Sequence, residues 1–212
     1  MLEEFREKKV MCMFLLRPAF LVLLTLTLYG SVPAQRPGPE FRRRVSCEPL
    51  EPRTRLEAIE AGYERLLLKG FTQFASLNVR GADIRIDALE IKEANVASNR
   101  AMGLVIAIRD QGETPREERA FVDYEEIDRL IRALESLTRV NESVTKLVGF
   151  EARYRTLGDL EISVFRQSRT SGTAASLSTG ICDRVTGLLT LDEVDRLRAH
   201  IIEAKARLDE IK

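Results

Sequence analysis

The strongest constraint on the fold of this chain is a stretch of eight residues that occurs twice. Residues 123–130 read DYEEIDRL and residues 190–197 read TLDEVDRL, an offset of 67 positions. Glu126 and Glu193, Asp128 and Asp195, Arg129 and Arg196, and Leu130 and Leu197 match. Each stretch opens with a capping residue and carries a Glu three positions later. That is the capping-box pattern, in which side chain and backbone satisfy each other's free donors at a helix start. Apolar residues then recur at helical spacing. The first stripe is Tyr124, Ile127, Leu130, Ile131, Leu134 and Leu137; the second is Leu191, Val194, Leu197, Ile201, Ala204 and Leu208. Charged residues fill the opposite faces, so both segments read as helices that pack on a core.

Strand-like segments precede each helix. Before the first they are 63–69, 72–79, 83–92 and 102–109. The run Leu104-Val105-Ile106-Ala107-Ile108 is apolar on both faces, as a central strand would be. Within 83–92, Ile84 and Ile86 alternate, whereas Leu89 and Ile91 continue out of phase, which predicts a bulge near Ala88. Before the second helix, Phe150, Ala152 and Tyr154 alternate with charge, as do Leu160, Ile162 and Val164. Thr156-Leu157-Gly158-Asp159 between them reads as a tight hairpin turn. Segments 173–179 and 181–188 complete the set. A further short helix is predicted from the capping box Thr54-Arg55-Leu56-Glu57, with Gly62 as its stop. The expected fold class is α+β: two ββββα-like repeats (about 63–139 and 144–210) within one domain, 54–212. Their antiparallel sheets carry the amphipathic helices on one face.

This element order, from Tyr63 to Leu208, resembles that of the Whirly-type single-stranded-DNA-binding proteins. The resemblance implies a sheet surface that takes single-stranded nucleic acid, with Arg80, Arg85, Arg153, Arg155, Arg166 and Arg169 on strands or their ends as the basic residues. The chain also resembles, in general style, small exported bacterial proteins of unknown function. Charge argues against nucleic acid as the partner. Lys plus Arg equal Asp plus Glu at 33 each, and attraction to phosphate needs surplus positive charge. Aromatic residues for base stacking are also few, at 6%.

The N-terminal quarter points to export. Phe14 to Tyr29 reads FLLRPAFLVLLTLTLY; its run from Ala19 to Tyr29 is apolar apart from two Thr residues, follows Arg6, Lys8, Lys9 and Arg17, and is short of the roughly 20 residues that span a bilayer. Val32-Pro33-Ala34 offers small side chains to a signal peptidase. The expectation is a signal peptide over 1–34, cleaved between Ala34 and Gln35. Secreted or periplasmic localisation follows, with a membrane anchor as the alternative if the segment is not cleaved. Met13 offers a later start. Residues 35–53 hold four of the seven Pro residues, which removes amide donors and fixes the backbone, so this stretch is expected to be a flexible linker. Its Arg42-Arg43-Arg44 reads as a solvated charge run.

Candidate chemistry is sparse. A single His, His200, rules out a His-rich metal site. No phosphate-loop or nucleophile-elbow pattern occurs, and no cofactor is expected. The stretch Ser168–Gly180 has the composition of an anion-binding nest, a flexible hairpin or a polar edge strand. The carboxylate pairs Glu125-Glu126 and Asp192-Glu193 fit the positive ends of their helices. In an exported chain Cys47 and Cys182 form a candidate disulfide. Asn141-Glu142-Ser143 matches the glycosylation sequon. The reading leans away from an enzyme and towards an interaction module with a protein partner in the envelope or exterior. The alternatives are a single-stranded nucleic-acid binder and a hydrolase working through carboxylates, which would need a polar concave pocket.

Overall fold

The computed structural model describes residues 51–141, 143–168 and 170–212. The expected signal segment, its cleavage point at Ala34 and Gln35, most of the linker with Arg42–Arg44, and Cys47 lie outside the described residues, as do Glu142 and Arg169. The fold is α+β. In chain order the elements are α1 (Arg55–Glu60), β1 (Leu67–Val79), β2 (Ala82–Glu93), β3 (Val96–Asp110), β4 (Glu117–Asp123), α2 (Tyr124–Thr138), β5 (Phe150–Arg155), β6 (Glu161–Arg166), β7 (Ala174–Thr179), β8 (Val185–Leu189) and α3 (Leu191–Ile211). Two four-stranded antiparallel meanders form, β1-β2-β3-β4 and β5-β6-β7-β8, each followed by a helix.

One core joins both sheets to α2 and α3. Ala82, Ile84, Ile86 and Ala88 of β2 and Leu104, Ile106 and Ile108 of β3 meet Ile127, Leu130 and Leu134 of α2 and Val194, Leu197, Ile201 and Leu208 of α3. Leu160, Ile162, Val164, Ala175 and Leu177 enter the same core from the second sheet. Each Leu, Ile or Val among them, fully buried, contributes about 1.5–3 kcal/mol. The sheets also touch directly: the Leu188 amide donates to the Arg80 carbonyl at 3.0 Å.

The sequence-based expectations need several corrections. The predicted strands 63–69 and 72–79 are one strand, β1, which starts only at Leu67. β4 was not foreseen. The bulge expected near Ala88 falls instead across the ladder, in β1 between Gln73 and Ala75, and β2 runs regularly past Ala88. Leu89 and Ile91 are out of phase because they face a second core. There they meet Leu56 and Ile59 of α1, Ala101 and Val105. Alternate residues of β3 divide between the two cores, so α1 packs on the face opposite α2 and α3. α1, by contrast, ends where expected: Ala61 is the C-cap in right-handed conformation, and Gly62 is the first residue past it. Thr173–Thr179 holds β7, an inner strand and not an edge. Before it, Ser168 and Ser171 close a turn on each other, Oγ to amide in both directions. Among the described residues no helix is long and apolar enough to cross a membrane.

The two helix starts differ. At α3 the box forms as predicted, with Thr190 accepting from the Glu193 amide and Glu193 accepting from Thr190. At α2 it does not form: Asp123 is the N-cap residue but makes no side-chain bond to its own helix. Its two oxygens accept from the amides of Arg55 (2.7 Å) and Leu56 (3.1 Å), at the start of α1. Glu126, the other half of the expected box, is only 4% exposed and accepts from the Leu157 amide at 3.0 Å.

Candidate functional site

The turn from Thr156 to Asp159, a hairpin as its sequence predicts, organises one concave part of the surface. The Thr156 hydroxyl accepts from the Leu160 amide and the Thr156 carbonyl from the Asp159 amide. Asp159 takes a left-handed conformation (φ 67°), which a short polar side chain tolerates best. Gly158 lies so close to β4 that an added Cβ would sit 2.0 Å from the Phe121 carbonyl oxygen. No other residue fits there, and the turn is thereby pressed against the edge of the first sheet.

Beside this contact is a cavity of about 480 Å³. Its walls come from the approach to α1 (Glu51, Pro52, Arg53) and α1 itself (Glu57, Glu60), from β4 (Glu118, Arg119, Phe121), from Gly158 and Asp159, and from the β7–β8 turn (Thr179, Gly180, Ile181, Cys182). Most of its charges already have partners. Glu57 caps α1, Glu60 binds Lys69, and Arg119 binds Glu117. Asp159, 3% exposed, accepts from Arg155 through Oδ1, with Arg184 at 3.7 Å. Two buried groups are left over: Asp159 Oδ2 and the hydroxyl of Thr179, itself fully buried, have no hydrogen-bond partner. Among the described residues no salt bridge reaches Glu118. Partial burial, and then the nearby charge of Asp183, hold its carboxyl above the ordinary carboxylate value, against a smaller opposing effect of Arg116.

A second cavity of about 410 Å³ lies beyond Arg53, which lines both. Here Glu126, Arg129, Tyr154, Arg155, Thr156 and Leu157 meet. Burial raises the Glu126 carboxyl, opposed by the Leu157 amide and Arg129 and assisted by Asp123. Its Oε2 has no partner. Burial, then the Glu126 charge, raises the Tyr154 phenol as well. The first sheet contributes a different kind of surface. β1 is an edge strand, and residues 68–73 are exposed. Phe71 is 75% exposed, and Tyr63 and Leu66, just before the strand, are 90% and 64% exposed.

The residues singled out from sequence separate as follows. Cys182 is in the wall of the first cavity, beside Ile181; its candidate partner Cys47 lies outside the described residues. His200 is half-exposed on α3, 3.1 Å from Glu203, and lines neither cavity. Of the six basic residues, Arg169 lies outside the described residues and Arg80 engages the second sheet through its carbonyl; Arg85 is held by Asp87 and Glu117, Arg153 by Glu151 and Glu161, and Arg155 by Asp159, while Arg166 lies over the Phe150 ring. Asn141 folds back locally, its Oδ1 accepting from the Ser143 amide. Asp159, Thr179 and Glu118 were not singled out as site residues. Nothing local distinguishes a turn Asp that is buried from one that is solvated, and Glu118 belongs to the unforeseen strand. No family model matches this chain, and no curated protein is significantly similar to it.

Proposed function

We propose that this chain is an exported, non-enzymatic interaction module that binds an extended segment of a partner protein along the open edge of β1. The observation that carries the reading is the exposed apolar stretch on that edge, Leu68 and Phe71, beside Tyr63 and Leu66. An edge strand offers a row of free amide and carbonyl groups, and native proteins ordinarily blunt such edges with charge. Here the local charge, Lys69, is taken up by Glu60. Strand addition supplies main-chain hydrogen bonds, and alternate side chains supply selectivity.

In this reading residues 1–34 are removed after export and residues 35–53 tether the domain. Cys47 and Cys182 form a disulfide in the oxidising compartment. Support for the bridge is its reach: Cys47 stands four residues before Glu51, about 13 Å of extended chain, and Glu51 and Cys182 line one cavity. Intact mass of the protein from fractionated native cells tests both points. A species starting at Gln35 outside the cytosol, about 2 Da lighter without reductant than with it, is expected. A full-length cytosolic species would refute export. For the edge, a photo-crosslinking residue at position 71 of the full chain should give one discrete adduct that Leu68→Lys removes. An adduct pattern unchanged by Leu68→Lys would refute strand addition.

A hydrolase working through carboxylates is the second reading, favoured by the concave polar cavity around Glu126. Turnover of a chromogenic ester or glycoside that Glu126→Gln abolishes would replace the first reading with this one.

A further inference from the structure

We infer that the cavity between α2, the end of β5 and the turn that follows it binds an oxyanion group, a phosphate or a carboxylate. Arg53, Arg129 and Arg155 supply its positive charge and the Tyr154 phenol a neutral donor. The site is separate from the β1 edge and does not rest on it.

The walls of this cavity, about 410 Å³ in volume, hold three guanidinium groups and one carboxylate. The carboxylate, Glu126, forms an ion pair with none of them. Its Oε1 accepts from the Leu157 amide at 3.0 Å, and its Oε2 is sealed inside the protein. Arg155 is held by Asp159. Arg53 and Arg129 reach no carboxylate at salt-bridge distance among the described residues. For Arg129 this is not for want of a partner in sequence. Helical spacing places Glu125 four positions before it, and Asp128 four positions before Arg132; such pairs ordinarily close on a helix surface. Neither closes here. Asp128 faces Lys205 of α3 instead, whereas Glu135 and Arg139 on the same helix do pair.

Both α2 guanidinium groups stand near Tyr154 instead. Burial, then the Glu126 charge, raises its phenol, and Arg129 and Arg132 are the charges that oppose them. The phenol therefore keeps its proton at neutral pH and acts as a donor. No described residue takes its hydrogen bond, and its oxygen, unlike Glu126 Oε2, is not sealed. The groups that a ligand can reach are thus donors, with positive charge in excess. An oxyanion has the matching chemistry: several acceptor lone pairs, negative charge, and a geometry that fits the guanidinium fork. The space is of ligand-binding size, and the exposed Leu157 side chain forms an apolar rim for the body of the ligand. Phosphate esters and carboxylates both carry such a group.

The test is a titration of the full chain, ¹⁵N-labelled, at constant ionic strength held with sodium chloride. Methyl phosphate and acetate are the probes. Saturable shifts are expected in the guanidinium Nε–H signals of Arg53, Arg129 and Arg155 and in the amides of Tyr154 and Leu157. Arg129→Gln, at an exposed helical position where Gln is as good a helix former, should weaken binding about tenfold through the loss of a charge-assisted pair. Tyr154→Phe should weaken it less. Arg109→Gln removes an exposed guanidinium that lines neither cavity, and should leave the affinity unchanged. Glu126→Gln removes negative charge from the wall and should tighten binding. Tighter binding of methyl phosphate assigns the site to phosphorylated ligands; tighter binding of acetate assigns it to carboxylates. Failure of both anions to saturate, an unchanged affinity in Arg129→Gln, or an equal loss in Arg129→Gln and Arg109→Gln would overturn the proposal. Leu68→Lys should leave anion binding unchanged, so failure of the edge reading and failure of this one are told apart.

Discussion

At the scale of single residues, two carboxylates in one expected motif have been drawn to other tasks. Asp123 precedes α2 but serves α1, accepting from two amides at that helix's start. Removing a capping carboxylate costs about 0.5–2 kcal/mol. Asp123→Ala should therefore lower stability by about that amount in a urea titration, and the amides of Arg55 and Leu56 should lose hydrogen-exchange protection while those of α2 keep theirs. Glu126 gives a pH signature. Burial raises its native pKa above the ordinary value of 4.5, so the native state binds the proton more tightly than the unfolded chain. Its contribution to stability is then fully present below the unfolded value and is lost as pH rises through the native one. Glu126→Gln keeps an acceptor for the Leu157 amide and abolishes this loss. The stability difference between variant and wild type should move in the variant's favour as pH rises from about 4.5, as followed by denaturant unfolding at a series of pH values; a difference constant with pH would refute the assignment. The sequence pattern at 123–126 is as good a capping box as that at 190–193, and pattern alone cannot separate them. What separates them is tertiary: another helix start and a turn amide compete for the same oxygens.

At the scale of elements, the helices were legible and the first sheet was only partly so. The stripes of α2 and α3 are what the buried residues confirm, because a long amphipathic segment carries its own evidence of which face is inside. The phase change at Leu89 was visible too, but two physical causes produce it: a bulge, or a strand covered at different points on its two faces. The second operates here, and it required knowing that α1 returns to the far side of the sheet. β4, with Glu117, Glu118 and Arg119 at its start, looks polar because it is an edge whose first residues are exposed. The acidic cavity was illegible for the same reason, since four separate elements contribute its walls. α1 is short, and a six-residue helix is marginal alone, so its stability must come from Leu56 and Ile59 against the sheet. Leu56, fully buried, is the better probe. Leu56→Ala should cost about 2–5 kcal/mol, and thermal unfolding of the variant compared with wild type measures it. The amides of Leu89 to Ile91 should become less protected, since α1 covers that end of β2.

At the scale of the whole molecule, the two ββββα units are not independent bodies. Side chains of both sheets and of α2 and α3 interlock in one core. Neither unit can leave without exposing the apolar face of the other, so unfolding should be a single transition. The calorimetric enthalpy should equal the van't Hoff enthalpy, and a chain ending at Asn141 should remain unfolded. Two separate transitions would refute the shared core as the cooperative unit. The placement of α1 has one more consequence, and it is mechanical. With the proposed Cys47–Cys182 bridge reduced, tension applied through the residues before Glu51 reaches α1 before it reaches either sheet, and α1 is held there by two apolar side chains, the Asp123 clip, the Arg55 side chain on the Arg100 carbonyl and the Glu60–Lys69 ion pair. Residues 54–66, once freed, release about 45 Å of slack at roughly 3.4 Å per residue. The acidic cavity loses a wall in the same step, while the main core carries no load. In the reduced chain the helix is a fuse: a pull on the tether dismantles the cavity first and spares the fold, whereas the closed bridge takes the same pull to the β7–β8 turn and leaves α1 unloaded.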